Sequence, residues 1–184
     1  MAKLVSKTYG DALFELALEE GRQDLFLEEA LGIKKVLNEN EDFVKMMNHP
    51  QISRVEKEEV IENVFKGRVS DDMTGFLRLL VQNARFAEVE AIIDYFIAKI
   101  KEYKKIGVAY VTTPLELSDT QKADVEKKLL ETTKYESMEI SYDIDKSLIG
   151  GMKIRVGDRV VDSSIKCKLD KLTKELRQVK LIQQ

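Results

Sequence analysis

The residues best suited to chemistry lie near the carboxyl end, in the stretch DKSLIGGMKIRVGDRVVDSS, residues 145–164. The stretch combines the pair Gly150-Gly151 with aspartate, lysine and arginine side chains. A glycine-rich turn that carries a lysine and leads into a helix can cradle a phosphate with its backbone N–H groups. Clustered carboxylates can instead hold a divalent metal ion. The stretch therefore raises two enzymatic hypotheses, one for a nucleotide and one for a metal.

The residues that follow the glycines argue against a phosphate loop. Apolar and polar residues alternate in MKIRV, residues 152–156, which predicts a β-strand where a phosphate loop would need a helix. We interpret Gly150-Gly151 as a bend or bulge between adjoining strands. Gly157-Asp158, which separates KIRV from RVV, is typical of a tight hairpin turn. A phosphate- or nucleotide-binding enzyme that uses Gly150, Gly151 and Lys153 is kept as the alternative function.

A metal site would have to draw on four aspartates, Asp143, Asp145, Asp158 and Asp162. In MEISYDID, residues 138–145, apolar residues alternate with polar ones, so the acids of this run share the solvated face of a strand. We expect those acids to face Lys153 and Arg155 across the sheet as surface charge pairs. The alternation therefore favours a solvated sheet face over a set of metal ligands.

The remaining candidates for a nucleophile or a base are isolated in the sequence. His49 is the only histidine, and it precedes Pro50 at a predicted helix boundary. Cys167 is the only cysteine, and it lies roughly opposite the apolar stripe of the predicted last helix. A Ser/His/Asp or Cys/His site would depend entirely on His49. We therefore predict no catalytic residue, no cofactor and no metal site.

Composition restricts the class of protein. The 184 residues have a formal net charge of −3, which argues against a nucleic-acid partner because phosphate binding requires a cationic surface. A single cysteine excludes an internal disulfide and fits a reducing compartment. The first residues show no apolar signal core, and no run reaches the roughly 20 apolar residues that span a bilayer. We expect a soluble, cytoplasmic protein.

The first part of the chain is predicted to form helix after helix. Apolar residues recur at helical spacing between capping residues, with Ser53 and Ser70 at helix starts and Gly21 and Gly67 at helix ends. The predicted helices are a first segment that ends near Gly21, then 23–38, 41–47, one that starts after Ser53, one that starts after Ser70, and 87–105. Residues 1–105 are therefore predicted to form an all-helical domain.

After Lys105 the periodicity changes. The predicted elements are a strand in IGVAYVTTP (106–114), a helix from Ser118 to about Thr133, strands in 138–145 and 152–156, and a last helix with the apolar stripe Ile165, Leu169, Leu172, Leu176 and Val179. Residues 106–184 are therefore predicted to form a smaller α/β domain. The fold class predicted for the whole chain is α+β.

Two predicted helices are apolar on more than one face. The first has a core stripe at Val5, Tyr9, Ala12, Leu13 and Leu16, and a second stripe at Phe14 and Leu18 beside the small Gly10 and Ala17. The fifth carries Leu79 and Val81 outside one regular stripe. Either neighbouring helices cover both faces, or these helices line a groove for an amphipathic partner helix. The second interpretation predicts the groove residues Gly10, Phe14, Ala17, Leu18, Leu79 and Val81.

Two segments carry a resemblance to a known family. YGDALFELA, residues 9–17, and SLIGGMKIRVGDRVVDSSIKCKLDKL, residues 147–172, closely resemble the delta subunit of bacterial F-type ATP synthases. The mitochondrial relative of that subunit is the oligomycin-sensitivity-conferring protein. The second segment is the more specific, with its paired glycines, its alternating apolar residues, its GD turn and the DSSI that enters the last helix. The resemblance extends over essentially the whole chain.

The resemblance implies a non-catalytic stator subunit with a six-helix N-terminal bundle and a C-terminal α/β domain. The N-terminal domain would bind the alpha subunits of the catalytic head, and the C-terminal domain would bind the b subunits of the peripheral stalk. By resisting the torque of the rotor, such a subunit lets proton flow drive ATP synthesis. It would lie at the cytoplasmic side of the bacterial cell membrane and contact the membrane only through the complex. Gly150, Gly151, Gly157 and Asp158 would then be a structural signature.

Overall fold

The computed structural model describes residues 2–169, 172 and 173. The chain divides into two compact units, Met1–Lys101 and Glu102–Gln184. Helices make up the first unit, and the second contains a four-stranded sheet. The fold is therefore α+β, as the change of periodicity predicts.

The helices of the first unit follow the predicted segments closely. They are α1 (Ala2–Glu19), α2 (Gln23–Glu39), α3 (Glu41–Met47), α4 (Arg54–Phe65), α5 (Asp71–Gln82) and α6 (Val89–Tyr103). A 3-10 turn at Phe86–Glu88 precedes α6, so the last helix begins later than the apolar pattern predicts. Because α6 extends past Lys101, the contact boundary between the units falls inside this helix rather than at Lys105.

Local hydrogen bonds set the ends of these helices. The Ser53 hydroxyl accepts from the Glu56 N–H at the start of α4, while the Glu56 carboxylate accepts from the Ser53 N–H at 2.9 Å. Gly21, with φ +64°, ends α1: its N–H donates to the Leu18 carbonyl, and the next N–H donates to the Ala17 carbonyl. The second position tolerates the left-handed backbone because glycine has no Cβ. The predicted Ser53 and Gly21 caps are confirmed.

A continuous apolar core holds the first unit together. Its fully buried side chains come from α1, α2, α3, α4, α5 and α6, and the largest are Phe26, Phe96, Leu13, Ile33, Leu37, Met47, Ile61, Met73, Leu77, Leu80, Ile92 and Ile93. Two edge-to-face contacts link Phe43 to Phe65 and Phe86 at centroid distances of 6.2 and 6.1 Å. Burial of this apolar surface is the main source of the unit's stability.

The second unit is built on a mixed sheet. Its strands are β1 (Ile106–Thr113), β2 (Ser137–Ile144), β3 (Lys153–Val156) and β4 (Arg159–Asp162), and its helix α7 spans Asp119–Thr132. The strand order is β2-β1-β3-β4, with β1 parallel to β2 and the other neighbours antiparallel. Since parallel neighbours require a crossover, α7 connects β1 to β2 and packs on one face of the sheet. Ser118 caps α7, as predicted.

The core of this unit is small. Ala109 and Val111 of β1 are fully buried, and they pack with Val125 and Leu129 of α7 and with Met138 of β2. These sheet residues alternate with Val108, Tyr110 and Thr112, which lie on the opposite face. The core therefore occupies only the layer between α7 and the sheet.

The predicted last helix is described only at its start. Residues 165–169, 172 and 173 are helical, and Ile165, Leu169 and Leu172 of the predicted stripe are exposed. Leu176 and Val179 lie outside the described residues.

Candidate functional site

The paired glycines pack against backbone and leave no phosphate cradle. Gly151 has φ +77°, and a Cβ there would lie 2.6 Å from the Ser163 carbonyl oxygen. A Cβ on Gly150 would lie 2.6 Å from Cδ1 of Ile165, whose N–H donates to the Gly150 carbonyl at 2.9 Å. Strand β3 follows, so the backbone leads into a sheet rather than a helix. The glycines permit close packing at the entry to β3 and at the exit from β4.

The interpretation of these glycines as a bend between adjoining strands needs a correction. β2 and β3 precede and follow the glycines, but they are not neighbours, because β1 lies between them in the sheet. The glycines therefore lie in a connection that passes across the end of β1. Gly157-Asp158 does form the tight turn between β3 and β4, with Gly157 at φ +55°, so the predicted hairpin is confirmed.

The predicted charge pairing across the sheet is also wrong in detail. Thr112 of β1 pairs with Asp143 on one side and with Lys153 on the other, so a whole strand separates the acids of β2 from the basic residues of β3. Lys153 lies opposite Asp162 of β4 instead. The Arg155 guanidinium lies over the Tyr110 ring, 4.6 Å from its centroid. Alternation gives the face of each residue correctly but does not give the strand order.

The candidate metal ligands act as local caps. The Asp145 carboxylate accepts from the Ser147 N–H at 2.9 Å, and hydrogen bonds from Ser147 lower the pKa of this carboxyl from its ordinary value. Asp162 accepts from the Ser164 N–H at 2.9 Å. Within residues 2–169, 172 and 173, no three histidine, cysteine or acidic side chains gather at one point where a metal could bind.

His49 and Cys167 are also engaged locally. The Nδ1 atom of His49 accepts from the Gln51 N–H at 3.3 Å, and the Cys167 N–H donates to the Ser164 hydroxyl at 3.1 Å. Neither residue lies next to a partner that would make it a nucleophile or a base in the described part of the chain. No arrangement in that part is suited to covalent or acid–base catalysis.

The predicted second stripe of α1 is part of the core, which corrects its expected exposure. Gly10 and Ala17 are buried, and the Phe14 side chain is only 8% exposed. Helix α6 covers this face: a Cβ on Gly10 would lie 2.4 Å from Cδ1 of Tyr95, and the Lys99 ammonium lies 4.6 Å from the centroid of the Phe14 ring. The second stripe is therefore the one that neighbouring helices cover.

Polar contacts fasten the same face of α1 to α6. The Asp11 carboxylate accepts from the Tyr95 hydroxyl at 3.0 Å and forms an ion pair with Lys99. The hydrogen bond from Lys99, together with the one from Tyr95, lowers the pKa of the Asp11 carboxyl. These contacts hold the Tyr95 ring against Gly10.

The stripe that the sequence assigns to the core is the less buried one. Ala12 is exposed, and Val5, Tyr9 and Leu16 are only half-buried. Of the other predicted groove residues, Val81 is buried, Leu18 is half-buried and Leu79 of α5 is 44% exposed. Arg22, just after α1, forms an ion pair at 3.4 Å with Asp72 in the first turn of α5.

A second apolar surface lies in the sheet unit and was not predicted from the sequence. Helix α7 leaves a cavity of about 570 Å³ between itself and the β3–β4 hairpin, which we call the α7 groove. Its lining residues are Leu117, Gln121, Asp124, Val125, Lys128, Leu129, Thr132, Thr133, Met152, Ile154, Val156, Arg159 and Val161. The sequence signal that could have indicated it is the number of apolar positions on β3 and β4, too many for one short helix to cover.

No helix among the described residues is long and apolar enough to cross a bilayer. The geometry offers apolar surfaces on two units and only locally engaged polar groups. Surfaces of this kind bind protein segments.

Comparison with known proteins bears on which segments these are. The family model described as ATP synthase delta (OSCP) subunit matches residues 5–176. ATP synthase subunit delta of Lachnoclostridium phytofermentans is 53% identical over 181 residues, which cover 98% of this chain and 100% of that protein. Subunit delta of Halalkalibacterium halodurans is 34% identical over 172 residues, 94% of either chain. A chain of the Toxoplasma gondii mitochondrial ATP synthase hexamer shares the fold, with a TM-score of 0.75 and 21% identity over 93% of this chain and 96% of that one.

Fold and surfaces define a connector protein with a helical unit and a sheet unit. The comparisons go further, and the chain belongs to the ATP synthase delta (OSCP) subunit family. It is therefore a non-catalytic subunit of an F-type ATP synthase and a component of its peripheral stalk. The resemblance carried by residues 9–17 and 147–172 is confirmed.

Proposed function

We propose that this chain ties the alpha subunits of the catalytic head to the b subunits of the stalk. The helical domain, residues 1–105 arranged as a six-helix bundle, binds alpha, and the α/β domain, residues 106–184, binds b. The subunit lies at the cytoplasmic side of the bacterial cell membrane and contacts the membrane only through the complex. By resisting rotor torque it keeps the head fixed while protons cross the membrane.

One observation carries this proposal: each unit has its own core and leaves an apolar surface uncovered. On the helical unit these are half-buried or exposed side chains of α1 and α5, and on the sheet unit it is the α7 groove. A tie that holds against torque must be tight, and nanomolar attachment corresponds to about −12 kcal/mol. Fully desolvated apolar anchors in such surfaces supply energy on this scale.

The alpha-binding surface that we propose differs from the predicted groove. Leu18 and Leu79 remain in it, joined by Ala12, Leu16 and Gly75, which are exposed or half-buried on α1 and α5. The other predicted residues, Gly10, Phe14, Ala17 and Val81, support this surface from the core. Small residues beside exposed leucines let the apolar face of an amphipathic helix approach closely.

The substitution Leu79→Asp tests this surface. Leu79 is 44% exposed, so the free energy of unfolding should change by less than about 1 kcal/mol. A peptide from the N-terminal segment of alpha should lose at least about 30-fold in affinity, because interface anchors contribute roughly 2 kcal/mol or more. Calorimetry of the peptide and urea denaturation of the same variant measure both effects.

Leu31→Asp on α2 is the matched control, since Leu31 is 41% exposed in the same unit. It should bind the alpha peptide as the wild type does. Equal binding by Leu79→Asp and wild type would remove α5 from the proposed surface. Absence of binding by the wild type itself would contradict the role of the helical domain.

A further inference from the structure

The α7 groove results from the way the sheet is covered. β1 and β2 are connected through α7, and that helix covers their half of the sheet. On the same face, Ile154 and Val156 of β3 are half-buried, and Val161 of β4 is 63% exposed. Val125 and Leu129 of α7 form the opposite wall, each nearly buried. The floor and one wall of the groove are therefore apolar along their length.

Charged and polar side chains lie only on the rim of the groove. On α7 they are Gln121, Asp124, Lys128 and Thr132, spaced so that they line one edge of the helix, and on β4 there is Arg159. Asp124, Lys128 and Arg159 are exposed and form no ion pair with any residue that the structure describes. A small organic ligand would need polar groups that converge inside the cavity. An apolar floor with a charged rim is suited to an amphipathic helix instead.

The rim charges are ordered along the groove. The Tyr142 hydroxyl donates to the Lys122 carbonyl at 3.4 Å, which places the start of α7 beside the sheet row that contains Ile154 and Val161. Asp124 is therefore near the Val161 end. The later turns of α7, with Lys128 and Thr132, extend toward the hairpin end, where Val156 pairs with Arg159. One end of the rim is thus acidic and the other basic.

We propose that the α7 groove binds one amphipathic helix of the stalk's b subunit, with the helix N-terminus at Asp124 and its C-terminal end at Lys128 and Arg159. A helix has a positive N-terminal end and a negative C-terminal end, so this orientation matches both ends of the rim. The inference rests on the proposed function, which assigns b to this unit, and adds the site, the orientation and the charge pattern. The helix carries an apolar stripe and acidic groups near its C-terminal end.

Two other occupants fit the observations less well. The chain's own last helix begins on the other face of the sheet, where Lys166 and Cys167 line a polar cavity with Asp143 and Lys153. Its first turn therefore does not lead into the groove. A second copy of this chain would have to present a helix with an apolar stripe and the matching end charges. The described α7 cannot supply it, because Val125 and Leu129 are already buried in its own unit.

The experiment compares two neighbouring valines in the full-length chain. Val161→Glu places a carboxylate in the groove, whereas Val160→Glu places one on the opposite face of the same strand, where Val160 is 53% exposed. The probe is the purified soluble part of b from the same synthase, titrated by calorimetry. Val161→Glu should weaken binding at least about 30-fold, and Val160→Glu should bind as the wild type does.

A second pair of variants tests the orientation. Lys128→Glu combined with Arg159→Glu should weaken binding of the b fragment about tenfold, and the loss should shrink at high salt. Lys127→Glu combined with Lys146→Glu makes the same change in net charge away from the groove, at two exposed lysines, and should have no effect. Equal losses for both pairs would overturn the orientation.

The outcomes separate this inference from the proposed function. A wild-type chain that binds no b fragment would contradict the proposed function and, with it, the inference. Binding that is equal in wild type and Val161→Glu would overturn the groove assignment alone. A dimer that Val161→Glu converts to a monomer would assign the groove to a second copy. Tighter binding of b after removal of residues 174–184 would assign it to the chain's own end.

Discussion

At the scale of single residues, Gly10 sets how closely α1 approaches α6. A Cβ at this position would lie 2.4 Å from Cδ1 of Tyr95, and the Tyr95 hydroxyl is held by Asp11. Gly10→Ala should therefore lower the free energy of unfolding by about 1–3 kcal/mol, as overpacking does in other cores. Urea denaturation of the purified chain measures this change.

Gly32→Ala on α2 is the control for that substitution. A Cβ on Gly32 would meet no atom within 4 Å, so alanine should stabilise the helix by up to about 1 kcal/mol through its higher helix propensity. If both substitutions were stabilising, the close contact between α1 and α6 would be wrong.

The same residue explains why the groove could not be assigned from the sequence. Helical spacing identifies two stripes on α1, but it does not say which stripe another helix covers. Tyr95 and Lys99, far along the chain on α6, decide the question by packing on Gly10 and Phe14. Periodicity is a local signal, whereas burial depends on partners distant in sequence.

At the scale of elements, the capping box of α4 makes a pH-dependent contribution. Hydrogen bonds from the N–H and hydroxyl of Ser53 lower the pKa of the Glu56 carboxyl. A carboxyl whose pKa is lower in the folded state stabilises the fold above its unfolded pKa of about 4.3, and this contribution is lost as the pH falls through the folded pKa. Glu56→Gln should thus be less stable than wild type at pH 7, and the difference should shrink at pH 3.

Urea denaturation at several pH values measures that difference. Glu59→Gln removes an exposed carboxylate from the same helix outside the capping box and serves as the control. A difference between Glu56→Gln and wild type that stays constant from pH 7 to pH 3 would contradict the role of the Ser53 hydrogen bonds.

Elements whose signals are local could be predicted, and their arrangement could not. Ser53, Ser70 and Ser118 mark helix starts because each cap bonds within its own turn. The hairpin at Gly157-Asp158 follows from two adjacent residues. The strand order β2-β1-β3-β4 depends on which strands meet after the α7 crossover, and the α7 groove follows from that order. No short stretch of sequence contains this information.

At the scale of the whole molecule, the two units differ in the size of their cores. The fully buried side chains of the helical unit outnumber those of the sheet unit, where Ala109, Val111, Val125, Leu129 and Met138 form the buried cluster. We therefore predict that residues 1–105 fold alone. Far-ultraviolet circular dichroism should show a helical fragment with cooperative thermal unfolding, and a fragment with little helix would place the domain boundary elsewhere.

Coupling in a rebuilt membrane system tests the connector role most directly. Inverted vesicles with the membrane sector are stripped of the head and of this subunit, then rebuilt with the head in the presence or absence of the chain. The head should hydrolyse ATP at a similar rate in both preparations. ATP-driven proton uptake should require the chain, because an untied head turns with its shaft. Equal proton uptake without the chain would contradict the account.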